Sequence, residues 1–279
     1  MTPDPAPTIR QLLTFYLEAG VDCALTEEPV NRLSDPELAP AAHQVDAPKP
    51  QRSLPAAMPA AAAVPAPRGE VAPPPEAAIA SAREAARTAP TLEALRALLE
   101  NFDGCALKFT ATRMVFADGN PQARVMFVGE APGREEDIEG LPFVGRSGKL
   151  LDRMIAAIGL DRSSAYISNV IAWRPPGNRT PTPQETQICL PFIQRHIELV
   201  NPDVLVTLGN PSTQTLLSTR DGIMKTRGRW FDYDTGTRVI KAIATFHPAY
   251  LLRSPSYKRM SWQDLRAIAK MLEQTPSSS

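Results

Sequence analysis

Residues 124–133 carry the sequence RVMFVGEAPG, an apolar run that ends in a turn rich in glycine and proline. A short apolar run bounded by turn residues predicts a strand buried on both faces. Similar runs recur at Ala165–Trp173, Asp203–Leu208 and Arg238–Thr245, and stretches with helical spacing separate them. Because strands and helices alternate, the sequence predicts a mostly parallel α/β sheet covered by helices on both faces. Helices are predicted at Ala77–Ala89, Thr91–Phe102, Ser147–Ile158, Pro183–Val200, Pro211–Leu217 and Trp262–Glu273.

The composition divides the chain into three parts. Residues 1–34 form an N-terminal extension with a short amphipathic helix predicted at Thr8–Asp22. Residues 35–76 are predicted to be a linker without a core of its own, because eleven prolines stand among the forty residues from 36 to 75. Residues 77–279 are predicted to form the folded domain.

Overall charge and cysteine content exclude several classes of protein. Thirty basic and thirty acidic residues give a formal net charge of zero. Residues 220–259, however, hold nine Lys or Arg against three Asp, a local net charge of about +6 that suits a polyanion or is simply a solvated basic edge. Three widely spaced cysteines argue against a disulfide framework and fit a reducing cytoplasm. No apolar run is long enough for a transmembrane helix.

Three distinctive segments follow predicted strands: Gly129–Gly133 (GEAPG), Asn169–Asn178 and His247–Tyr250 (HPAY). The carboxyl ends of parallel strands meet at one edge of a sheet, where α/β proteins bind their ligands. These segments are therefore predicted to line one crevice.

The same segments carry a resemblance to a known family. GEAPGREEDIEGLPFVGRSGKLLDRM (129–154), YISNVIAWRPPGNR (166–179) and HPAYLLR (247–253) are similar to the type 4 uracil-DNA glycosylases, in order and in spacing. The resemblance runs from about Cys105 to Leu272. It implies a three-layer α/β/α fold with a four-stranded, mostly parallel sheet, and hydrolysis of the bond between uracil and deoxyribose in DNA.

The resemblance assigns roles to the polar residues that follow two of the strands. His247 is expected to donate a hydrogen bond to uracil O2 as negative charge develops on the departing base. The Asn169 amide offers both a donor and an acceptor, which matches uracil O4 and N3–H and opposes the reversed edge of cytosine. Alternatively, His247 caps its strand and Asn169 is tied to a loop of the core.

Phe143 is expected to stack on the flipped base, unless it is an ordinary core residue. Gly129 and Ala131 are expected to line the base pocket. Ala131 stands where the type 1 enzymes carry their catalytic aspartate and cannot act as a base. Glu130 is therefore expected to be the carboxylate that orients water or faces the cationic sugar.

Two further carboxylates, Glu136 and Asp137, remain alternatives to Glu130, with a structural role at a helix start as the competing explanation.

A second group of residues is expected to hold the DNA rather than the base. Leu251 and Leu252 resemble the loop whose apolar side chain fills the gap left by the flipped nucleotide. Arg253 is expected to contact phosphates, together with Ser147 through its backbone N–H.

The chain departs from the family at its metal cluster. The resemblance implies a four-iron, four-sulfur cluster on four cysteines, of which only Cys105 and Cys189 are present. Phe102 and Trp173 stand at the other two positions, and neither side chain ligates iron. No cofactor or metal is therefore expected, although Cys23 is an alternative ligand.

The sequence thus predicts a monomeric enzyme of the bacterial cytoplasm, associated with the nucleoid, that acts on uracil-containing DNA and has no membrane partner. The N-terminal helix is a candidate docking element for another, unidentified protein. The competing hypothesis is a DNA-binding module with weak or no catalysis.

Overall fold

The computed structural model describes residues 75–275, so the predicted helix at Thr8–Asp22 and the predicted linker up to residue 74 lie outside the described residues. The described range contains nine α-helices and six strands. The helices are α1 (Pro75–Thr88), α2 (Leu92–Glu100), α3 (Arg134–Glu139), α4 (Arg146–Ala156), α5 (Pro183–Val200), α6 (Asn210–Leu216), α7 (Ile223–Thr226), α8 (Pro248–Arg253) and α9 (Lys258–Gln274). The strands are β1 (Ala117–Gly119), β2 (Val125–Gly129), β3 (Tyr166–Asn169), β4 (Val204–Leu208), β5 (Trp230–Asp234) and β6 (Val239–Thr245).

The strands form one sheet in the order β1-β3-β2-β4-β6-β5. The four central strands are parallel and are the ones predicted from the apolar runs. The α/β fold is therefore confirmed, but the sheet has six strands rather than four, because β1 and β5 add antiparallel edges. One predicted strand was too long: Ala165–Trp173 shrinks to Tyr166–Asn169.

Alternation along the central strands builds a core on each face of the sheet. Val125 and Phe127 point toward the layer that contains α4 and α9, whereas Met126 and Val128 point toward the layer that contains α1, α2 and α5. All four side chains are fully buried. A parallel strand covered on both faces has no polar face, which explains the unbroken apolar runs in the sequence.

Local signals set several helix starts. Thr91 caps α2 by accepting a hydrogen bond from the backbone N–H of Ala94. Thr182 and Glu185 form a reciprocal capping box at the start of α5. Among residues 75–275, no helix combines the length and the apolar composition that a membrane crossing requires.

Candidate active site

A pocket of about 660 Å³ opens at the carboxyl edge of the parallel strands. All three segments predicted to converge contribute to its lining, through Gly129–Gly133, Asn169–Asn178 and His247–Tyr250. A fourth segment, Leu208–Pro211 at the end of β4, also lines the pocket and was missed by sequence reasoning. Parallel topology brings these segments together because every connection that leaves a strand starts at the same edge.

Asn169 and Phe143 meet above Gly129. A Cβ atom added to Gly129 would lie 2.4 Å from Asn169 Oδ1 and 2.7 Å from the Phe143 ring. Glycine is therefore required here, since any side chain would displace both residues. The Asn169 side chain is buried, and its Oδ1 has no hydrogen-bond partner within the described residues. An acceptor left in this state costs about 1–3 kcal/mol, which a ligand N–H would recover.

The Phe143 ring is held by an unusual backbone. Phe143 has a φ of 55°, in the left-handed region, which non-glycine residues rarely adopt. Helix α4 packs against this turn so closely that a Cβ atom on Gly148 would lie 1.6 Å from the Phe143 carbonyl oxygen. Arg162 donates to the same carbonyl and forms ion pairs with Asp118 and Asp152. Arg162 thus fixes Phe143 from behind, a role that the sequence did not reveal.

His247 faces Phe143 across the pocket, with the two ring centroids 5.4 Å apart. The backbone N–H of Ala249 donates to His247 Nδ1 at 3.1 Å. Burial, with a smaller contribution from Arg253, lowers the pKa of His247 to about 4. The imidazole is therefore neutral at pH 7, and because Nδ1 accepts a hydrogen bond, the proton lies on Nε2. The ring can donate from Nε2 to a ligand in the pocket.

The three candidate carboxylates have different surroundings. The Glu136 carboxylate accepts hydrogen bonds from the backbone N–H groups of Gly133, Val144 and Gly145, and so joins the GEAPG turn to the Phe143 turn. Those contacts use both of its oxygens. Glu136, in the first turn of α3, therefore has a structural role.

Asp137 does not line the pocket, and its carboxylate is also engaged in hydrogen bonds. Its carboxylate accepts from the Thr112 backbone and hydroxyl and from the Arg113 backbone. Glu130 differs from both in its hydrogen bonds: like Glu136 it lines the pocket, but its buried Oε1 has no partner within the described residues. Burial raises the pKa of Glu130 above its ordinary value.

The structure separates the two leucines predicted to meet DNA. Leu251 is 1% exposed and lies in the core beneath α8, so the prediction that it contacts DNA is wrong. Leu252 is 37% exposed and is the side chain free to reach outward. Arg253, also exposed, and Ser147, at the start of α4, both line the pocket rim.

The basic segment 220–259 is less basic in space than in sequence. Arg227 pairs with the buried Asp264, Arg238 pairs with Asp203, and Lys241 pairs with Asp232. Six of its nine cations have no ion-pair partner within the described residues: Arg220, Lys225, Arg229, Arg253, Lys258 and Arg259.

The four positions that correspond to cluster ligands lie together in the core between the sheet and α5. Cys105 and Cys189 are buried, with their Sγ atoms 4.0 Å apart. Phe102 packs edge-on against Phe192, and its ring fills the space beside Gly104, where an added Cβ would lie 2.4 Å from Cζ.

Trp173, at the fourth position, is 2% exposed. Within residues 75–275, no group of three His, Cys, Asp or Glu side chains could hold a metal ion. Two thiols and two buried aromatic rings do not fit a cluster that takes four cysteine ligands. Cys23 lies outside the described residues.

Comparison with known proteins shows which family the chain resembles. Residues 116–266 match the profile of the Uracil DNA glycosylase superfamily. The chain is similar to the type-4 uracil-DNA glycosylase of Archaeoglobus fulgidus, with 40% identity over 171 residues, which cover 60% of this chain and 86% of the relative. It is 41% identical to the type-4 enzyme of Thermotoga maritima over 172 residues, which cover 61% of this chain and 88% of the relative. With the type-4 enzyme of Sulfurisphaera tokodaii the identity is 38% over 186 residues, or 65% of this chain and 84% of the relative.

Proposed function

The chain belongs to the uracil DNA glycosylase superfamily, and from this premise we propose that it is a uracil-DNA glycosylase. It hydrolyses the N-glycosidic bond of uracil in DNA and leaves an abasic site, the first step of base excision repair. The substrate is uracil-containing DNA. The enzyme must turn the nucleotide out of the base stack to reach this bond.

One observation carries the proposal: Asn169 Oδ1 and the Phe143 ring meet above the bare backbone of Gly129. This arrangement fits a flat base that stacks on Phe143 and donates N3–H to Asn169 Oδ1. The Asn169 Nδ2 then donates to uracil O4. A cytosine presents an acceptor at N3 and a donor at its amino group, so this orientation of the amide rejects it.

His247 supports cleavage rather than binding alone. The base leaves as an anion whose charge is shared between N1 and O2, while the sugar becomes an oxocarbenium ion. A neutral His247 that donates from Nε2 stabilises the developing charge without having to lose a proton. Glu130 is the carboxylate left to face the sugar and its attacking water.

Leu252 and Arg253 hold the DNA around the extruded nucleotide, together with Ser147, which also lines the pocket. We propose that the enzyme works without a metal cluster, because Phe102 and Trp173 stand at two ligand positions. We expect a cytoplasmic monomer, and the suggestion that the N-terminal helix docks another protein remains a prediction.

The direct test is an excision assay with the purified full-length chain. It is incubated with single- and double-stranded oligonucleotides that hold one deoxyuridine, and alkali then cleaves any abasic site. Oligonucleotides with thymidine or deoxycytidine at that position serve as controls, and a His247→Ala sample purified in parallel reports contaminating activity. Strand cleavage specific to deoxyuridine is expected. Binding without cleavage would instead support the DNA-binding module.

The Asn169→Asp variant tests base recognition. Aspartate places an acceptor where uracil O4, also an acceptor, is expected to lie. Uracil excision is expected to fall sharply, and any excision of cytosine to rise. An unchanged uracil rate would show that Asn169 is only a structural residue.

A further inference from the structure

Three buried side-chain acceptors lack a hydrogen-bond partner among residues 75–275: Glu130 Oε1, Asn169 Oδ1 and Asn210 Oδ1. All three residues line the same pocket. Buried polar atoms are otherwise paired in folded proteins, and each unpaired one costs about 1–3 kcal/mol. Their concentration in one pocket indicates that the ligands of this pocket supply three donors.

The sheet places one polar residue at, or within two residues of, the carboxyl end of each of its four parallel strands. In the spatial order β3-β2-β4-β6, these residues are Asn169, Glu130, Asn210 and His247. Strands β2 and β4 are neighbours, and their paired residues run up to Val128 and Thr207 at the pocket edge. Glu130 and Asn210 therefore lie on the connections that leave adjacent strands, with Asn210 at the start of α6. Gly209, with a φ of 89°, brings the start of α6 against His247.

The chemistry of the substrate leaves two of the three acceptors open. A deoxyuridine within DNA has one N–H donor, at N3, and Asn169 accepts it. Deoxyribose inside a strand carries no hydroxyl, and phosphodiesters only accept hydrogen bonds. The remaining reactant of a hydrolysis is water, which has two O–H donors. The count of donors matches the count of open acceptors.

We infer that Asn210 is a catalytic residue that binds the attacking water together with Glu130. This inference rests on the proposed glycosylase function. Asn210 Oδ1 accepts one O–H of the water, and Glu130 Oε1 accepts the other. The pair aims the water oxygen at C1′ of the extruded nucleotide.

The water oxygen forms a bond to C1′ while the bond from C1′ to N1 breaks, and the electron pair of that bond leaves with uracil. His247 Nε2 donates to the resulting uracil anion. One water proton passes to the Glu130 carboxylate, and the proton held by Asn210 stays on the new hydroxyl of the abasic sugar. Burial of Glu130, which raises its pKa, makes its carboxylate a stronger proton acceptor.

The test compares Asn210→Ala with Asn210→Asp, which keeps an acceptor and removes the amide donor. Gln214→Ala is the matched control, because Gln214 also carries an amide on α6 but bonds to the Arg220 carbonyl. Single-turnover excision is measured on a duplex with one deoxyuridine at saturating enzyme. Affinity is measured with the same duplex carrying 2′-fluoroarabinouridine, whose fluorine resists formation of the cationic sugar.

Asn210→Ala is expected to lower the single-turnover rate about 10- to 100-fold, as for a misplaced reactant, with wild-type affinity and thermal stability. Asn210→Asp is expected to retain most of the rate, and Gln214→Ala all of it. Methanol gives a second readout, because it has only one O–H. The wild type should react with water in preference to methanol, whereas Asn210→Ala should form more of the methyl glycoside. In the mass spectrum, the strand with the methyl glycoside is heavier than the abasic strand by one methylene group.

Two results would overturn the inference. One is an Asn210→Ala variant with wild-type rate and wild-type exclusion of methanol. The other is a loss of affinity in both Asn210 variants with the rate at saturation unchanged, which would place the amide on a phosphate. Both results require a wild type that excises uracil, so they leave the proposed function standing. A wild type that does not excise uracil contradicts the proposed function instead.

Discussion

The pocket at the carboxyl edge of the sheet and the core beneath α5 differ in whether their buried polar groups have hydrogen-bond partners. In the pocket, Glu130, Asn169 and Asn210 each leave a buried acceptor without a partner. Behind β3, the buried His196 is paired with the Tyr166 hydroxyl at 2.9 Å and stacks on Phe116.

The two regions are neighbours. A cavity of about 20 Å³ is lined by Asn169 from the front and by Cys189 and His196 from behind. The two regions therefore contribute differently to binding and to stability. Open acceptors are kept for a ligand, whereas satisfied polar groups and packed rings stabilise the fold. Substitutions in front are therefore expected to change the rate, and substitutions behind to change stability.

The largest effect is expected from the two aromatic residues at the cluster positions. Trp173→Ala or Phe102→Ala should lower the free energy of unfolding by about 3–5 kcal/mol, as for other truncated core aromatics. Chemical denaturation measures this loss. The rate per folded molecule should stay near that of the wild type.

Cys105→Ser and Cys189→Ser are the controls for this prediction and should be mild by comparison. The purified protein should also be colourless and carry no stoichiometric iron. A brown protein, or serine variants that unfold while the aromatic truncations do nothing, would show that the cysteines still hold a cluster.

His247→Ala should give the largest effect on the rate. Loss of one donor to a developing anion costs about 2.7–4 kcal/mol of transition-state stabilisation, or roughly 10²–10³ in rate. Single-turnover excision measures it, with thermal unfolding as the control for folding. A wild-type rate in this variant would show that His247 takes no part in catalysis. It would also contradict the expectation that substitutions in the pocket change the rate.

Acid should lower the free energy of unfolding through His196, in the core beneath α5. Burial lowers the pKa of His196 to about 3, against an ordinary value of 6.5. Because the folded-state pKa is depressed, the unfolded chain binds the proton first, and stability present above pH 6.5 is lost as pH falls toward 3. The loss should reach roughly 2–3 kcal/mol by about pH 4.5.

His196→Gln, which keeps a partner for Tyr166, should flatten this part of the stability profile. His247 contributes a loss of the same sign as pH falls toward about 4. Denaturant unfolding across the pH range separates the two. An unchanged slope in His196→Gln would mean that His196 does not resist protonation in the folded state.

The smallest effect is expected at the rim. Arg253→Gln should weaken DNA binding equally for all sequences and reduce the salt dependence of binding by about one counterion. Arg238→Gln is the matched control. Arg238 forms an ion pair with Asp203 and directly precedes β6, at the end of that strand away from the pocket. Equal salt slopes for wild type and Arg253→Gln would exclude a phosphate contact at this position.

Several features could be predicted because they depend on short-range pattern. The apolar runs located β2, β3, β4 and β6, and parallel topology then implied that the loops after three of them converge. The edge strands Ala117–Gly119 and Trp230–Asp234 were missed because they are short or partly polar. Pairing with a neighbouring strand creates them, and local sequence does not record that pairing.

By itself, the sequence determined the α/β class, the residues at the ends of three strands and the presence of Phe102 and Trp173 at two positions where the resemblance implies cysteines. Each of these depends on the identity or spacing of residues along the chain. Tertiary structure alone decided which of two adjacent leucines is buried and which of three carboxylates stays free of backbone contacts. It also placed Asn210 in the pocket. These outcomes depend on which hydrogen-bond donors and apolar side chains arrive from distant parts of the chain, and that is set only when the layers pack.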